Sequence, residues 1–432
     1  MRILIIGQCT LHWGRMEFGN IGNYYIIEPF VRFLHKTFPN ASVRTTFQMS
    51  ERFCKDENIF VLPMNLYYNW DNDLEKAKHE LKIAENFRLT NNQVETTPFI
   101  EEVKLCDLVI DFSGDIWGDN ADLLGNDRFY VGLCKDRVAQ IFAKKTVMLA
   151  GSPGPFNKSE NIEFAREVFK NFDLVTNREF ISIKLLEEYG FDTSKTHSMA
   201  CPAFTFQPSH FNNIKNLPQI NEMLNSTRPK VGFVLCGWNF LSGPFDKWPR
   251  PDEDYFVFAQ AIEIFLKSVD ADIYLMSHSN GFPIPPEEFK LKHGRDYPII
   301  KQLQKVLDQR GVSRVYSLDG VYDAWQTKAI IGQFDMFVSG RVHAAVASLS
   351  QSVPTVIIDY GHEPKAHKLK GFAQVANILD YVAAPDKTNK LSELMLKVWY
   401  NRVNLRKELD EHIPRVKELA EKNFSILKTL YQ

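Results

Sequence analysis

An arginine and a histidine stand close together in the segment Ser339-Gly340-Arg341-Val342-His343, directly after the apolar run 336–338. The small residues that follow predict a helix beginning at this turn. A helix N-terminus favours anions, because its first N–H groups lack intrahelical acceptors and the helix dipole is positive there. We therefore predict that Arg341 binds an anion and that His343 exchanges protons near neutral pH, with Ser339 and Gly340 in the same binding turn.

Two further charged side chains follow predicted strands in the first half of the chain. Asp115 ends the turn Ser113-Gly114-Asp115 and stands where an acid or base of a crevice would stand, although such a residue is also a common helix cap. Arg178 offers a planar guanidinium to a carboxylate or phosphate. An ion pair between Arg178 and Glu179 or another acid is an equally good interpretation.

The second half of the chain offers more basic groups after its predicted strands. His278 lies in Ser277-His278-Ser279-Asn280, and the segment 359–370 holds the densest group of cationic residues. Within that segment we expect Lys365 to face a cleft and Lys368 and Lys370 to be solvated.

Two glycine-containing turns complete the set of motifs. Gly19-Asn20-Ile21-Gly22-Asn23 follows the first predicted strand, and its glycines would let backbone amides approach a ligand. A plain turn with Asn23 as helix N-cap is an equally good interpretation. Gly151 and Ser152 open Gly151-Ser152-Pro153-Gly154-Pro155, which is suited to lining a cleft floor.

Short β-branched runs alternate with longer amphipathic stretches, which predicts an α/β fold with parallel sheets. Strands are predicted at 2–6, 42–46, 108–111, 146–149 and 173–176, and then at 230–235, 272–276, 314–317, 336–338 and 355–358. Helices are predicted at 23–38, 74–85, 129–142, 161–172, 180–189, 254–267, 299–310, 321–330, 342–350 and 391–430.

The order of these elements predicts two doubly wound, Rossmann-like lobes. We place the N-terminal lobe at 1–206, a polar linker at 207–229, the C-terminal lobe at 230–390 and a helical segment at 391–432. Because ligands of such sheets bind at the carboxyl ends of the strands, we expect the site in a crevice between the lobes.

Composition narrows the class of protein. The 432 residues carry 51 Lys and Arg against 53 Asp and Glu, a balance that argues against nucleic acid or an anionic membrane as the main partner. Six scattered cysteines without metal-ligand spacing predict reduced core thiols, a cytoplasmic location and no metal site. No apolar run reaches the length of a transmembrane helix. The oligomeric state stays open.

The motifs together resemble those of the polysaccharide pyruvyl transferases. The block Ser339-Gly340-Arg341-Val342-His343, followed by Val353-Pro354 and Lys365, is similar to the most specific signature of that family. Supporting similarities run nearly end to end, in the segments 19–22, 151–155 and 178–190. Two positions differ, since Asn23 stands where the family usually has Asp and Ser113-Gly114-Asp115 stands where it often has three glycines.

The resemblance implies a GT-B-like fold and transfer of a pyruvyl group from phosphoenolpyruvate (PEP) onto two hydroxyls of a sugar, giving a ketal. It implies that Arg341 and Arg178 bind the donor together with Ser339, Gly340 and His278. It also implies catalysis by His343, Asp115 and Lys365.

The acceptor is then a saccharide, either free or lipid-linked, and no cofactor is needed besides PEP as co-substrate. The acceptor or cleft-lining residues are Gly19, Asn20, Gly22, Asn23, Ser113, Gly114, Gly151 and Ser152. Two alternatives stay open, namely a GT-B glycosyltransferase with a nucleotide-sugar donor and a catalytically degenerate glycan-binding homologue.

Overall fold

The structure, a computed structural model, describes residues 1–92, 95–157, 159–242, 247–361 and 366–432. The chain divides into two compact units, each assembled from separate stretches of sequence. The first contains Met1–Met16, Ile27–Pro202 and Leu419–Gln432, and the second contains Glu17–Ile26 and Ala203–Glu418. The predicted domains were consecutive segments of the chain. The observed units differ from them, because residues 17–26 belong to the second unit and residues 419–432 belong to the first.

A seven-stranded parallel sheet forms the centre of the first unit, in the order β3-β2-β1-β4-β5-β6-β7. Strand order reverses between β1 and β4, the position at which ligands bind to such sheets. The two short edge strands, β3 and β7, were not predicted. The strands are β1 (Arg2–Ile6), β2 (Ser42–Thr45), β3 (Ile59–Val61), β4 (Leu108–Asp111), β5 (Thr146–Gly151), β6 (Leu174–Asn177) and β7 (Thr196–Ser198).

The helices of the first unit follow the predicted βα alternation. The helix α5 is almost wholly buried, and its buried residues include the charged Arg128, Lys135 and Asp136 besides apolar ones. The helix α4 begins at Pro98 after the N-cap Thr97, whose hydroxyl accepts the N–H of Ile100. The helices are α1 (Ile21–Thr37, whose first residues belong to the second unit), α2 (Glu51–Asp56), α3 (Asp73–Thr90), α4 (Pro98–Lys104), α5 (Arg128–Phe142), α6 (Ser159–Lys170) and α7 (Ile181–Glu188).

The second unit contains a six-stranded parallel sheet in the order β12-β9-β8-β13-β14-β15. Here the order reverses between β8 and β13. A separate antiparallel hairpin joins β10 and β11. The strands are β8 (Lys230–Val234), β9 (Asp272–Leu275), β10 (Asn280–Gly281), β11 (Lys292–His293), β12 (Val315–Ser317), β13 (Met336–Ser339), β14 (Thr355–Ile358) and β15 (Val382–Ala383).

Helices on this sheet bury an apolar core that includes Phe258, Ile262 and Phe265 of α10 and Leu303 and Leu307 of α11. Within the described ranges, no helix has the length and apolar character that crossing a membrane requires. The helices are α8 (Phe211–Ile214), α9 (Pro218–Asn225), α10 (Phe256–Ser268), α11 (Asp296–Gln309), α12 (Ala324–Ile331), α13 (Val342–Leu349), α14 (Ala366–Val375) and α15 (Thr388–Ser425).

Candidate functional site

The switch point of the second sheet is built around a close approach of two turns. A Cβ on Gly340 would lie 2.7 Å from Cγ of Asn239, so only glycine fits after β13. The amide of Asn239 accepts the backbone N–H of Cys236 at 2.9 Å and donates to the carbonyl of Ile358 at 3.3 Å. Ser339 accepts the N–H of Arg341 through its hydroxyl. These contacts join the carboxyl ends of β8, β13 and β14.

Arg341 forms an ion pair with Asp296 inside the second unit. Its Nε and one terminal nitrogen donate to the two carboxylate oxygens at 2.6 and 2.5 Å. Asp296, the first residue of α11, is fully buried, and 15% of the Arg341 side chain is exposed. Asp296 was not predicted as a site residue, because it precedes the predicted helix 299–310, whereas the observed helix begins at Asp296 itself.

Asp296 also connects Arg341 to His278. The carboxylate accepts the backbone N–H of His278 at 3.1 Å, and the hydroxyl of Ser279 accepts the N–H of Asp296. Burial alone would lower the pKa of Arg341, but the Asp296 carboxylate raises it above the usual arginine value. The guanidinium is therefore permanently charged and fixed in direction.

His278 is a completely buried imidazole. Burial, and next the charges of Arg341 and His343, lower its pKa well below the ordinary histidine value. Within the described ranges, neither ring nitrogen has a hydrogen-bond partner. The ring packs edge-on against Tyr25 at 5.5 Å between centroids. His278 is therefore neutral at physiological pH.

The glycine turn of residues 19–23 contacts His343 within the second unit. The predicted boundaries had placed this turn in the N-terminal lobe. A Cβ on Gly22 would lie 2.5 Å from Nδ1 of His343, which is the second residue of α13. The predicted cap is also shifted. Asn20, not Asn23, caps α1, because its side-chain oxygen accepts the N–H of Gly22 at 3.2 Å.

Neighbouring residues hold this turn in the second unit. Gly19 ends a short π-helical turn and is buried, and Asn20 forms an isolated antiparallel bridge with Ser279. Asn20 also donates its amide to Asn23 at 3.4 Å. The ring of Tyr24 packs on Trp325 with 4.7 Å between centroids.

In the cationic segment 359–370, the observed exposure of the lysines agrees only in part with the prediction. Lys365 and His362 lie outside the described residues, so the role predicted for Lys365 stays a prediction. The prediction of a solvated Lys368 is wrong, because this residue lies on the inner face of α14 and is 1% exposed. Lys370 is exposed as predicted and pairs with Asp359 at 3.4 Å.

A second group of polar residues occupies the switch point of the first unit. The hydroxyl of Ser113 donates to Asp111 at 2.8 Å and accepts the N–H of Gln8 at 2.9 Å. The carbonyl of Gly114, which has φ +62°, accepts the N–H of Ser152 at 2.7 Å. These bonds join the ends of β1, β4 and β5.

Arg178 and Asp115 lie together at this edge. The Nε of Arg178 donates to the hydroxyl of Ser152 at 2.9 Å, its backbone N–H donates to Gly151, and a terminal nitrogen lies 3.9 Å from the Asp115 carboxylate. Arg178 is 3% exposed, whereas a third of the Asp115 side chain is exposed. The predicted alternative, an ion pair of Arg178 with Glu179 or another acid, thus has a partner in Asp115, whereas Glu179 accepts N–H groups at the start of α7.

Burial sets the ionisation of the acids beneath this edge. It raises the pKa of Asp111 to about 7, and burial together with the charge of Asp111 raises the pKa of Asp136 well above the usual value. Burial and the charge of Asp115 also raise the pKa of the Cys9 thiol, which donates to the carbonyl of Ser113. Cys9 is therefore a thiol rather than a thiolate.

Among the residues that the structure describes, no group of three or more histidine, cysteine or acidic side chains is arranged to hold a metal ion. In each unit the polar cluster combines an arginine guanidinium with carboxylates and hydroxyls. Such groups match carboxylate, phosphate and hydroxyl ligands.

The fold is shared with solved structures that are 11 to 13% identical to this chain, a level at which the likeness shows the fold alone. Alr3699/HepE of Anabaena in complex with UDP has a TM-score of 0.59 at 13% identity, covering 100% of both chains. A UDP-GlcNAc 2-epimerase of Neisseria meningitidis reaches 0.54 at 11% identity and 100% coverage of both chains. Sucrose-phosphate synthase of Thermosynechococcus elongatus reaches 0.54 at 12% identity, covering 100% of this chain and 98% of that one. The predicted GT-B class, with two Rossmann-like units and a long C-terminal helix, is confirmed.

Similarity in amino-acid sequence identifies the family, which similarity of fold does not. The amylovoran biosynthesis protein AmsJ of Erwinia amylovora is 28% identical over 384 residues, which are 84% of each chain. The family model described as polysaccharide pyruvyl transferase matches residues 20–362, a range that includes residues 20–23 of the glycine turn and the Arg341–His343 helix start. The chain therefore belongs to the polysaccharide pyruvyl transferase family and is a transferase of polysaccharide biosynthesis.

Proposed function

We propose that this protein transfers the pyruvyl group of PEP onto two hydroxyls of one sugar, forming a cyclic ketal and releasing phosphate. The observation that carries the proposal is the contact between Gly22 and His343. It brings the N-terminal glycine turn and the Arg341–His343 segment to one site, although they are far apart in sequence. The reaction uses PEP as co-substrate and involves no metal.

The donor binds at the start of α13. PEP carries a phosphate and a carboxylate, and Arg341 together with the helix terminus offers positive charge and N–H donors to such groups. Asp296 fixes the guanidinium through both carboxylate oxygens, which lowers the entropy lost on binding. Ser339 and Gly340 shape the turn that presents these donors. The neutral, fully buried His278 is held next to Arg341 because its backbone N–H donates to Asp296.

His343 supplies the proton that makes PEP electrophilic. Protonation of the methylene carbon forms the methyl group, and a sugar hydroxyl then attacks C2. Loss of phosphate and attack by the second hydroxyl close the ketal. One hydroxyl proton replaces the proton given by His343 and the other leaves with phosphate, so the reaction balances. Imidazole suits this task because its pKa is near neutrality.

We assign different roles to Asp115 and Arg178, which both belong to the first unit. The partly exposed carboxylate of Asp115 is the candidate base for a hydroxyl, and it lies 3.9 Å from the guanidinium of Arg178. Arg178 is also retained as a candidate donor ligand. Lys365 is retained as the group that stabilises departing phosphate.

Steady-state kinetics and PEP binding test this assignment. We expect phosphate release from PEP that depends on a saccharide. His343→Ala should lower kcat by about 10²- to 10⁴-fold, the usual contribution of a general acid, while the Kd for PEP stays within about threefold. Arg341→Ala should mainly raise that Kd. Equal effects of both substitutions on PEP binding would contradict the separate roles.

Solvent isotope incorporation tests the chemistry itself. In D₂O the ketal methyl group should contain one solvent-derived deuterium, because one proton is added at the methylene carbon. A product methyl group without deuterium would exclude protonation of PEP. Turnover of a nucleotide-sugar without any use of PEP would establish the glycosyltransferase alternative. Saccharide binding without turnover of either donor would establish the degenerate homologue.

A further inference from the structure

A stiff hairpin extends from the same segment of chain that forms the Arg341 site. Its strands β10 and β11 pair Asn280 with His293 and Gly281 with Lys292. The intervening loop contains Pro283, Pro285 and Pro286, which restrict its backbone. His278 precedes the hairpin and Asp296 follows it. The ends of this hairpin, residues 280–293, are therefore fixed by the residues that orient Arg341.

The glycine turn also holds the hairpin. Phe18, which directly precedes Gly19, packs against Phe282 with 5.6 Å between ring centroids and against Phe289 with 4.4 Å. At the base, Asn20 bridges to Ser279. Because Gly22 contacts His343, one continuous segment links the aromatic rings of the hairpin to the proposed acid.

The hairpin lines an open cavity of about 670 Å³, which we call the hairpin pocket. Phe289 is one of the lining residues; its ring packs against Phe18 on one side and the residue is 44% exposed. Two acidic and two basic residues surround this ring, so the rim has no net charge. In the part of the chain that the structure describes, these four side chains form no ion pairs or side-chain hydrogen bonds. The lining residues are Pro283, Glu287, Glu288, Phe289, Lys290 and Lys292.

We propose that the hairpin pocket binds uncharged sugar residues of the saccharide acceptor. A pyranose has an apolar C–H face that packs on an aromatic ring, and hydroxyls that donate to carboxylates and accept from ammonium groups. The balanced charge of the rim matches a neutral, hydroxyl-rich ligand better than a polyanion. Naming this saccharide as the acceptor rests on the proposed function, whereas its binding can be measured without PEP.

Saturation-transfer NMR without PEP tests binding directly. The probes are di- to tetrasaccharides of glucose, galactose and mannose. We expect transfer to the pyranose C–H protons in the wild type, about tenfold weaker affinity in Phe289→Ala from the lost ring contact, and recovery in Phe289→Trp. Tyr400→Ala, which removes another exposed aromatic ring of this unit, is the control and should bind normally. Unchanged binding by Phe289→Ala, or no binding of any probe by the wild type, would overturn the proposal.

Kinetics then distinguish this proposal from the proposed function. If the pocket holds the acceptor, Phe289→Ala raises the KM for the saccharide about tenfold and leaves the Kd for PEP unchanged. Sugar binding without any use of PEP would refute the proposed function alone. Weakened PEP binding in Phe289→Ala would refute the acceptor site. Conversion of a wild-type dimer to a monomer by this substitution, without loss of sugar binding, would identify the pocket as a subunit interface instead.

Discussion

Asp296 determines what Arg341 contributes to the site. A guanidinium held by both oxygens of a buried carboxylate keeps its charge and loses its freedom to rotate. The same carboxylate binds the backbone of His278. Arg341 is therefore a rigid part of the second unit rather than a mobile surface cation.

Asp296→Asn should weaken both stability and PEP binding. The substitution leaves the guanidinium without its anionic partner, which costs about 3 to 5 kcal/mol of unfolding free energy for a buried pair. We expect a rise in the Kd for PEP as Arg341 loses its orientation. Urea unfolding and calorimetric titration measure the two effects.

The matched control is Asp319→Asn, which removes the carboxylate of the partly exposed pair with Lys301. An exposed pair contributes less than about 1 kcal/mol, so this variant should remain close to wild type. If Asp296→Asn binds PEP as tightly as wild type does, the orienting role of Asp296 is wrong.

Asp111 and Asp136 make the stability of the first unit depend on pH. Their pKa values are raised by burial, to about 7 for Asp111 and well above the usual value for Asp136. A raised carboxyl pKa means that the folded chain keeps protons that the unfolded chain has lost. Their contribution to stability is thus greatest below about pH 4, the unfolded aspartate pKa, and falls as pH rises through 7 and beyond.

Asp136→Asn should reduce that loss of stability. Asparagine does not ionise, and it can still accept the indole N–H of Trp117, which Asp136 binds at 3.1 Å. Each unit of pKa difference corresponds to about 1.4 kcal/mol, so the variant should gain at least about 1 kcal/mol relative to wild type between pH 5 and pH 8. Chemical denaturation at both pH values measures it. Parallel stability curves for the two proteins would contradict the expectation.

The N-terminal turns of helices α1 and α13 approach each other closely. Gly22 lies in the first turn of α1 and His343 in the first turn of α13. The absence of a side chain at Gly22 creates the space that the imidazole occupies. The glycine of this motif is required for helix contact as well as for any approach of a ligand.

Gly22→Ala should therefore displace His343. Its Cβ would overlap the ring, and overpacking of this kind typically costs about 1 to 3 kcal/mol. We expect a large fall in kcat with a normal circular dichroism spectrum. Gly311→Ala is the control, because φ is +69° there and nothing lies within 4 Å. That variant should lose roughly 1 kcal/mol of stability and keep its turnover. Normal turnover by Gly22→Ala would show that the imidazole adapts without consequence.

The last residues of the chain, Leu419–Gln432, pack into the first unit, which is otherwise built from the first half of the sequence. Asn423 is buried, donates to the carbonyl of Ala200 at 2.9 Å and accepts from Thr176 at 2.7 Å. Phe424 packs against Phe30 and Phe33 with 5.0 and 5.4 Å between centroids. The last turns of α15 are thus part of the first unit's core.

Phe424→Ala should destabilise the first unit by about 3 to 5 kcal/mol, the usual effect of removing a buried phenylalanine ring. Urea unfolding followed by circular dichroism should show an earlier transition. Tyr400→Ala, on an exposed position of the same helix, should shift it little. An unchanged transition in Phe424→Ala would mean that the chain end contributes little to the fold.

Most elements could be predicted because they depend on near neighbours in sequence. Apolar runs bounded by turn residues located β1, β4, β8 and β13 to within two residues. The strands β3 and β7 were missed because each is an edge strand of three residues, too short to show an alternation, and β7 also lacks apolar residues. The helix α14 was not predicted, because its sequence begins within a run of cationic residues that was expected to be solvated. One face of this helix is nevertheless buried.

The family motifs, and the turn that places Arg341 and His343 at a helix start, can be identified from the amino-acid sequence, because strand, turn and helix propensities are local. The pairing of Asp296 with Arg341, the contact of Gly22 with His343 and the place of residues 17–26 in the second unit arise only in the folded chain. Those contacts connect segments that lie far apart in the chain. Their partners are selected by packing and by the need to neutralise buried charge, which no local pattern encodes.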